Sequence, residues 1–457
     1  MVRLHSFSMN TFLKDIRATM VLGVPLIIAQ LCTMAMAMTD AIMVGRGVGT
    51  EALAAMAFGL NFMNVPCIAL FGISSATSVY IARAFGSGKF DELPAVLRHG
   101  IFLSFCSSVA VVGAMCWLFD HLQLLGYLGQ PPELIPIARP YMHLYAVAFV
   151  FMLCGGNCRA YCESQNRPWL PLYVIMGSIA LNAFLCYGLV YGVCGLPRMG
   201  LEGAGLATLI CSVGQFFALV YIILHNNLHL SLSHLLHPHI TRFYVARHLR
   251  LGIPTALQIC VEVASMSIMA LFAGRLGAET LAAHHVTMQV VMFLFMVPQG
   301  MSFAVSIRVS QASGANDRAR VKSVCTSAMT FAIGWMLATA LLMLSLHGQI
   351  PKLFTHDTKV IELSGGFLII AGLFQVFDGM QCTAMGALRG LKDVNRPTIA
   401  VMLFYWVMEI PLAWFLCFTC HMGGTGIWLS MLFGLILSAT FLTMRLKRVS
   451  ETKALMD

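Results

Sequence analysis

Residues 17–44 read RATMVLGVPLIIAQLCTMAMAMTDAIMV, and after Arg17 the only charge in the run is Asp40. A bilayer crossing takes about 20 mostly apolar residues, so this stretch is expected to be a membrane helix, long enough to tilt or to project beyond the lipid. Residues 247–274 restate it as RHLRLGIPTALQICVEVASMSIMALFAG, with Gly252 and Pro254 where Gly23 and Pro25 stood. The chain is therefore read as duplicated.

The repeat continues outward from that pair at an offset of about 229. Gly45, Arg46, Glu51, Ala54 and Ala55 return as Gly274, Arg275, Glu279, Ala282 and Ala283. Gly72, Ala76, Ser78, Ala84 and Gly86 return as Gly300, Ala304, Ser306, Ala312 and Gly314, and Asn166 with Pro168 returns as Asn395 with Pro397. Apolar runs at 17–44, 52–85, 98–119, 135–161, 168–192 and 202–224 predict six helices in the first copy. Those at 247–274, 279–308, 323–346, 360–388, 396–418 and 424–445 predict six in the second. An even number per copy keeps the copies in one orientation about an axis along the membrane normal, with a cavity expected between them. The expected organisation is a six-helix lobe over 1–224, a His-rich cytoplasmic linker over 225–246 and a six-helix lobe over 247–457.

Composition excludes a soluble domain: 59% of residues are hydrophobic and 10% charged, against roughly a quarter charged in soluble proteins. Placing the N-terminus in the cytoplasm leaves 22 of the 28 Lys and Arg inside, with Arg46, Arg139, Arg198, Arg275, Lys352 and Lys359 outside. Both termini are thus expected to be cytoplasmic, with no cleavable signal peptide. The net charge of +9 suits anionic lipid headgroups, and no basic-aromatic module is present to bind nucleic acid. The fifteen cysteines are scattered through apolar runs, where free Cys acts as a small hydrophobe. Cys154, Cys158 and Cys162 share one helical face beside Gly155 and Gly156, as close helix packing requires.

Four acids fall well inside the apolar runs: Asp40, Glu262, Asp378 and Glu409. A charge at mid-bilayer costs about 2.5–3.5 kcal/mol on insertion scales and marks function by default. No Lys or Arg is expected at comparable depth, so these groups must take a proton or meet a mobile cation. Helical spacing puts Gln30, Thr33 and Asp40 on one face, and Gln258, Glu262 and Ser265 on another. Gln375, Asp378 and Gln381 follow one another at single-turn intervals, so oxygens converging from these stripes could coordinate sodium. The repeat does not copy the acids: at the same offset Asp40 falls on Met269, Glu262 on Thr33 and Asp378 on Phe149. Ion coupling is therefore expected to concentrate on Glu262 and Asp378, with Asp40 a separate element, and Glu409 beside Pro411 reads first as a packing contact near a helix kink.

Asn61, Asn64, Asn182 and Gln289 are candidate cavity contacts or interhelical hydrogen bonds. The 31 methionines, among them Met34, Met36, Met38, Met56 and Met63, could offer an adaptable surface to apolar cations, or simply pack and face lipid.

These residues resemble the multidrug and toxic compound extrusion (MATE) transporters, in particular the NorM-like branch. The resemblance is carried by Val24, Pro25, Gln30, Thr39, Asp40 and Gly45, by Glu262, by Ala282 to His284, by Met296 to Pro298, and most specifically by Gln375, Asp378, Gln381 and Gly386 to Gly390. It implies an all-α polytopic fold of twelve helices in two pseudo-symmetric bundles arranged in a V. It also implies export of organic cations in exchange for inward Na+ or H+, with Asp40, Glu262 and Asp378 at the functional positions. No cofactor is implied beyond the coupling ion, with Glu262 and Asp378 as its transient ligands if that ion is sodium. The expected partners are cationic amphipathic small molecules and membrane lipid, and the expected form is a monomer in a bacterial inner membrane. The chain departs from the related DinF-like branch at Cys186, where that branch carries a second aspartate four residues after its asparagine. It also carries Phe295 where some relatives place a tyrosine.

Rival readings are weaker. A flippase for a lipid-linked sugar would need basic groups for its pyrophosphate, whereas the deep charges here are acidic. An intramembrane enzyme would need a nucleophile or metal motif, and HExxH, GxSxG and the P-loop are all absent.

Overall fold

The structure, a computed structural model, describes residues 9–121, 133–226, 228 and 240–452. Among the described residues there is no strand, and twelve helices are long and apolar enough to cross a membrane. The first six are α1 (Met9–Gly47), α2 (Thr50–Gly86), α3 (Leu93–Asp120), α4 (Leu134–Ser164), α5 (Trp169–Tyr191) and α6 (Leu201–His225). The second six are α7 (Arg242–Arg275), α8 (Ala278–Gly314), α9 (Arg318–Leu346), α10 (Thr358–Gly390), α11 (Asn395–Thr419) and α12 (Gly424–Thr452). Every predicted helix is present. Most extend past the predicted edges, because a helix that leaves the hydrocarbon keeps its hydrogen bonds among charged residues, as α12 does through Arg445, Lys447 and Arg448. Of the expected linker, residues 227 and 229–239 lie outside the described residues, and from Arg242 onward the chain is already α7.

The duplication extends to backbone detail. Helix α2 ends with Lys89 N–H donating to Ala84 O at 3.0 Å across Gly88 at φ 72°, and α8 ends with Asp317 N–H donating to Ala312 O at 3.0 Å across Asn316 at φ 57°. Both are left-handed caps, which Gly and Asn adopt at least cost. The same device closes α4, where Arg167 N–H meets Cys162 O, and α10, where Asp393 N–H meets Leu388 O. That pairing sets the register between α4 and α10 at 226, not 229, with Val394, Asn395 and Arg396 as three extra residues between the α10 cap at Asp393 and Pro397, the counterpart of Pro168. Asp378 accordingly matches Met152 in place of the expected Phe149, and it is still unmatched by an acid.

The packing units are cut differently from the sequence repeats. One compact unit runs from Ile28 to Ala256, and the other joins Leu257 onward to the beginning of α1 through Ile27. Small residues explain the exchange. At Gly300 on α8 a Cβ would lie 2.8 Å from Ile27 Cα, and at Gly72 on α2 a Cβ would lie 2.5 Å from Ala256 N. These glycines let α1 cross α8, and α7 cross α2, backbone against backbone. Pro25 and Pro254 each lie two residues before the crossover. Each unit has its own apolar core: Val44, Met63, Phe119, Phe149 and Leu189 in one, Met269, Val291, Phe367, Leu388 and Trp428 in the other.

Candidate functional site

In the unit containing α8–α12, α7 and α10 bring Glu262 and Asp378 close enough to repel each other. Gln381, one turn beyond Asp378 on α10, donates from Nε2 to Glu262 Oε1 at 3.2 Å, and Tyr405 on α11 donates its hydroxyl to Gln381 Oε1 at 3.1 Å. Trp406 Nε1 donates to Val261 O at 3.2 Å, tying α11 to α7 beside the acid. Gln258, a turn before Glu262, reaches the same carboxylate and touches Met385 Sδ. Gln375 goes elsewhere. Six residues of helix separate it from Gln381 by about 240°, and it is fully buried, donating to Val291 O on α8 at 3.3 Å.

Glu409 joins this neighbourhood. It is 5% exposed and accepts from Ser265 Oγ at 3.1 Å. It closes a π-helical turn, Leu403–Glu409, and a second wide turn covers Phe415–Thr419. Pro411 explains the first: it lacks an N–H and its ring crowds the carbonyl four residues back, so the ladder reopens at a wider spacing. The Tyr405 phenol lies within electrostatic range of Glu262, Glu409 and Asp378 together.

Two arginines lie in the last two turns of α8 and α10. Arg308 on α8 is 5% exposed and pairs through Nη2 with Asp15 Oδ1 at 2.8 Å, while its Nη1 donates to Asp15 O at 2.6 Å and to Thr19 Oγ1. Ser323 on α9 donates to the other Asp15 oxygen. Arg389, near the end of α10, acts on Glu262 electrostatically. Neither arginine makes an ion pair with Glu262, Asp378 or Glu409.

In the unit from Ile28 to Ala256, Asp40 is half-buried. Its Oδ2 accepts from Thr208 Oγ1 at 3.5 Å, the Cys186 thiol adjoins it, and its Oδ1 is buried without a partner. Asn182 on α5 is 1% exposed with neither amide atom bonded, a turn from Cys186. Gln30 is half-buried, whereas Thr33 is exposed and bonds back to Ala29 O, so the first stripe does not converge on Asp40. Asn61 and, in the other unit, Gln289 are exposed; the side chain of Asn64 lies outside the described residues. Met56 and Met63 are core residues, which removes them from the candidate adaptable surface, while Met38 is exposed.

The sequence missed Tyr405, Arg389 and the Asp15–Arg308 pair. A stripe on one helix shows which way a residue faces, not which neighbour it meets, and Pro411 two residues after Glu409 was the one local sign of the widened turn.

The MatE family profile matches residues 25–188 and 254–415, once in each repeat. The chain is 31% identical over 457 residues to the "Probable multidrug resistance protein NorM" of Rhizobium meliloti, covering 97% of each. It is 32% identical over 431 residues to the "Multidrug resistance protein NorM" of Burkholderia vietnamiensis, covering 93% of this chain and 92% of that one. Among solved structures, the Vibrio cholerae MATE transporter VcmN in the bent form matches with a TM-score of 0.87 over 97% of this chain and 98% of that one. At 17% identity that likeness establishes a shared fold.

Proposed function

The chain belongs to the MatE family, and from that membership we propose that it is a multidrug efflux antiporter, exporting amphipathic organic cations in exchange for inward Na+ or H+. The names of its curated relatives, multidrug resistance proteins of bacteria matched along nearly their whole length, support the substrate class and an inner-membrane location. It is an integral, multi-pass membrane protein. The excess of Lys and Arg on one side supports cytoplasmic termini.

One observation supports the coupling mechanism: two mutually repelling, half-buried carboxyls, Glu262 and Asp378, share a site with Gln381 and Tyr405 and with no ion-paired base. Carboxylate, amide and phenol oxygens suit a hard monovalent ion, and a proton relieves the same repulsion. A cation arriving in the cavity and an ion held here compete for the same negative charge, which is the thermodynamic requirement for exchange. Asp40, half-buried and joined only to Thr208 and Cys186, acts as a separate element. No resident cofactor is required, and the protein works as a monomer and not as an enzyme.

Reconstitution into liposomes tests this reading. An imposed sodium or proton gradient should drive ethidium movement, and failure of both gradients with protein that still binds ethidium would sink it.

A further inference from the structure

Glu409 has no counterpart in the first repeat, where Ala180 stands at its position. It is more deeply buried than either Glu262 or Asp378, and the ion pairs of this unit, Arg308 with Asp15, Lys322 with Glu451, Lys359 with Glu279 and Arg445 with Asp393, leave it out. A carboxyl so placed is tolerable only with a proton or a cation on it. Four features of its surroundings go beyond what a packing contact needs. The backbone beneath it is widened into a π turn, a geometry concentrated at functional positions. Opposite it α12 carries Gly434, where an added Cβ would strike the Glu409 carboxyl, so the room beside that group depends on glycine. Its single hydrogen-bond partner, Ser265, sits three residues after Glu262 on the same face of α7, and a hydroxyl both donates and accepts. Tyr405 stands within electrostatic range of both glutamates.

We infer that Glu409 is a second exchangeable acid of the transport cycle beside the Glu262–Asp378 site, releasing its proton to water and recovering it from water, with the Ser265 hydroxyl as its hydrogen-bond partner in both states. When Glu409 is ionised, Ser265 donates to Oε1, as observed. When it is protonated, its own O–H donates to Ser265 Oγ after the hydroxyl has rotated. Each proton lost by Glu409 is balanced by one positive charge gained from substrate or coupling ion, so net charge in the bundle is conserved. The groups that act on it are Ser265, by its hydrogen bond, and Glu262, both on α7, and Tyr405 on α11 itself. Helix α12 brings Gly434 against it, and one turn on carries Ser438, whose hydroxyl is buried without a partner. The inference rests on the antiport reading and adds a second proton to it.

The test counts protons. Full-length protein in detergent and weak buffer is titrated with ethidium while a pH dye follows release. Wild type should release about one proton more than Glu409→Gln, and the pH profile of gradient-driven ethidium transport should lose one titrating step in the variant. Ser265→Ala, which keeps the acid, should displace that step along the pH axis, and Ser265→Thr should restore it. Equal proton release from wild type and a Glu409→Gln protein that binds ethidium overturns the inference. Should that variant not fold, a Ser265→Ala profile superimposable on wild type overturns it. Ethidium binding to wild type without any proton release, while sodium drives export, also overturns it and leaves the antiport reading standing. Failure of both gradients ends that reading, and the proton count still decides the role of Glu409.

Discussion

The His99 imidazole on α3 and the backbone amide of Thr241, the residue before α7, are joined at 2.9 Å, with the Thr241 hydroxyl 3.1 Å from the same Nε2. An amide N–H can only donate, so Nε2 must carry a lone pair, while Nδ1–H donates to Ala95 O at 2.6 Å. The ring is buried, with the Tyr244 ring 4.8 Å from its centre and the Tyr80 and His248 rings tilted together at 5.5 Å.

Protonating His99 would set a donor against a donor. The anchoring of the start of α7 should therefore be intact at high pH and weaken as pH falls, by about 1–2 kcal/mol for the broken contact. Hydrogen exchange at Thr241 to Val245 should accelerate as pH falls below the ordinary imidazole value of about 6.5 in wild type. In His99→Gln, whose amide oxygen accepts at any pH, the rates should be free of that dependence beyond the chemical one. Identical profiles in the two proteins would refute the assignment.

The start of α1 is secured differently, by the buried Asp15–Arg308 pair. Asp15→Asn strands a guanidinium and should cost about 3–5 kcal/mol, whereas joint replacement by Asp15→Leu and Arg308→Met should recover most of that. Thermal unfolding in detergent reads the difference. A double variant no more stable than Asp15→Asn would mean that the charges themselves are required.

Close backbone crossings at Gly72 and Gly300 should make both positions intolerant of a Cβ. Gly72→Ala and Gly300→Ala are each expected to cost about 1–3 kcal/mol, since backbone atoms must move. Gly214→Ala, with open space at its Cβ, should be neutral or stabilising by up to about 1 kcal/mol. Melting temperatures that do not separate the two classes would contradict the crossings.

At the acid site, Glu262→Gln and Asp378→Asn should each lower gradient-driven ethidium transport by about a hundredfold or more, because both leave shape while removing exchangeable charge. Tyr405→Phe and Gln381→Leu remove positioning contacts only and should cost about tenfold. A Glu262→Gln protein transporting at the wild-type rate would remove the site from the mechanism.

Helix number and order were legible because twelve apolar runs leave the backbone no alternative in lipid. The duplication was legible from glycines and prolines, whose roles are local. What the residues of one strip could not convey was partnership: Gln375 and Gln381 look alike in sequence, yet one serves a carbonyl on α8 and the other the Glu262 carboxylate. The stripe of Gln30, Thr33 and Asp40 failed for a related reason, since Thr33 satisfies its hydroxyl within its own helix at Ala29 O. The three-residue shift after α10 was hidden because the flanking matches at Gly300 and Asn395 agree with the longer offset.

The exchanged beginnings of α1 and α7 bear on how the chain matures. A ribosome that has released only α1–α6 has made a bundle still lacking Arg242 to Ala256, while the first residues of α1 wait for α8 and α9 to emerge. Neither half is a self-sufficient product of synthesis. Chains severed between residues 228 and 240 should be degraded when made separately and should accumulate as a stable pair when made together, a dependence that duplication of a self-contained six-helix protein would not have created.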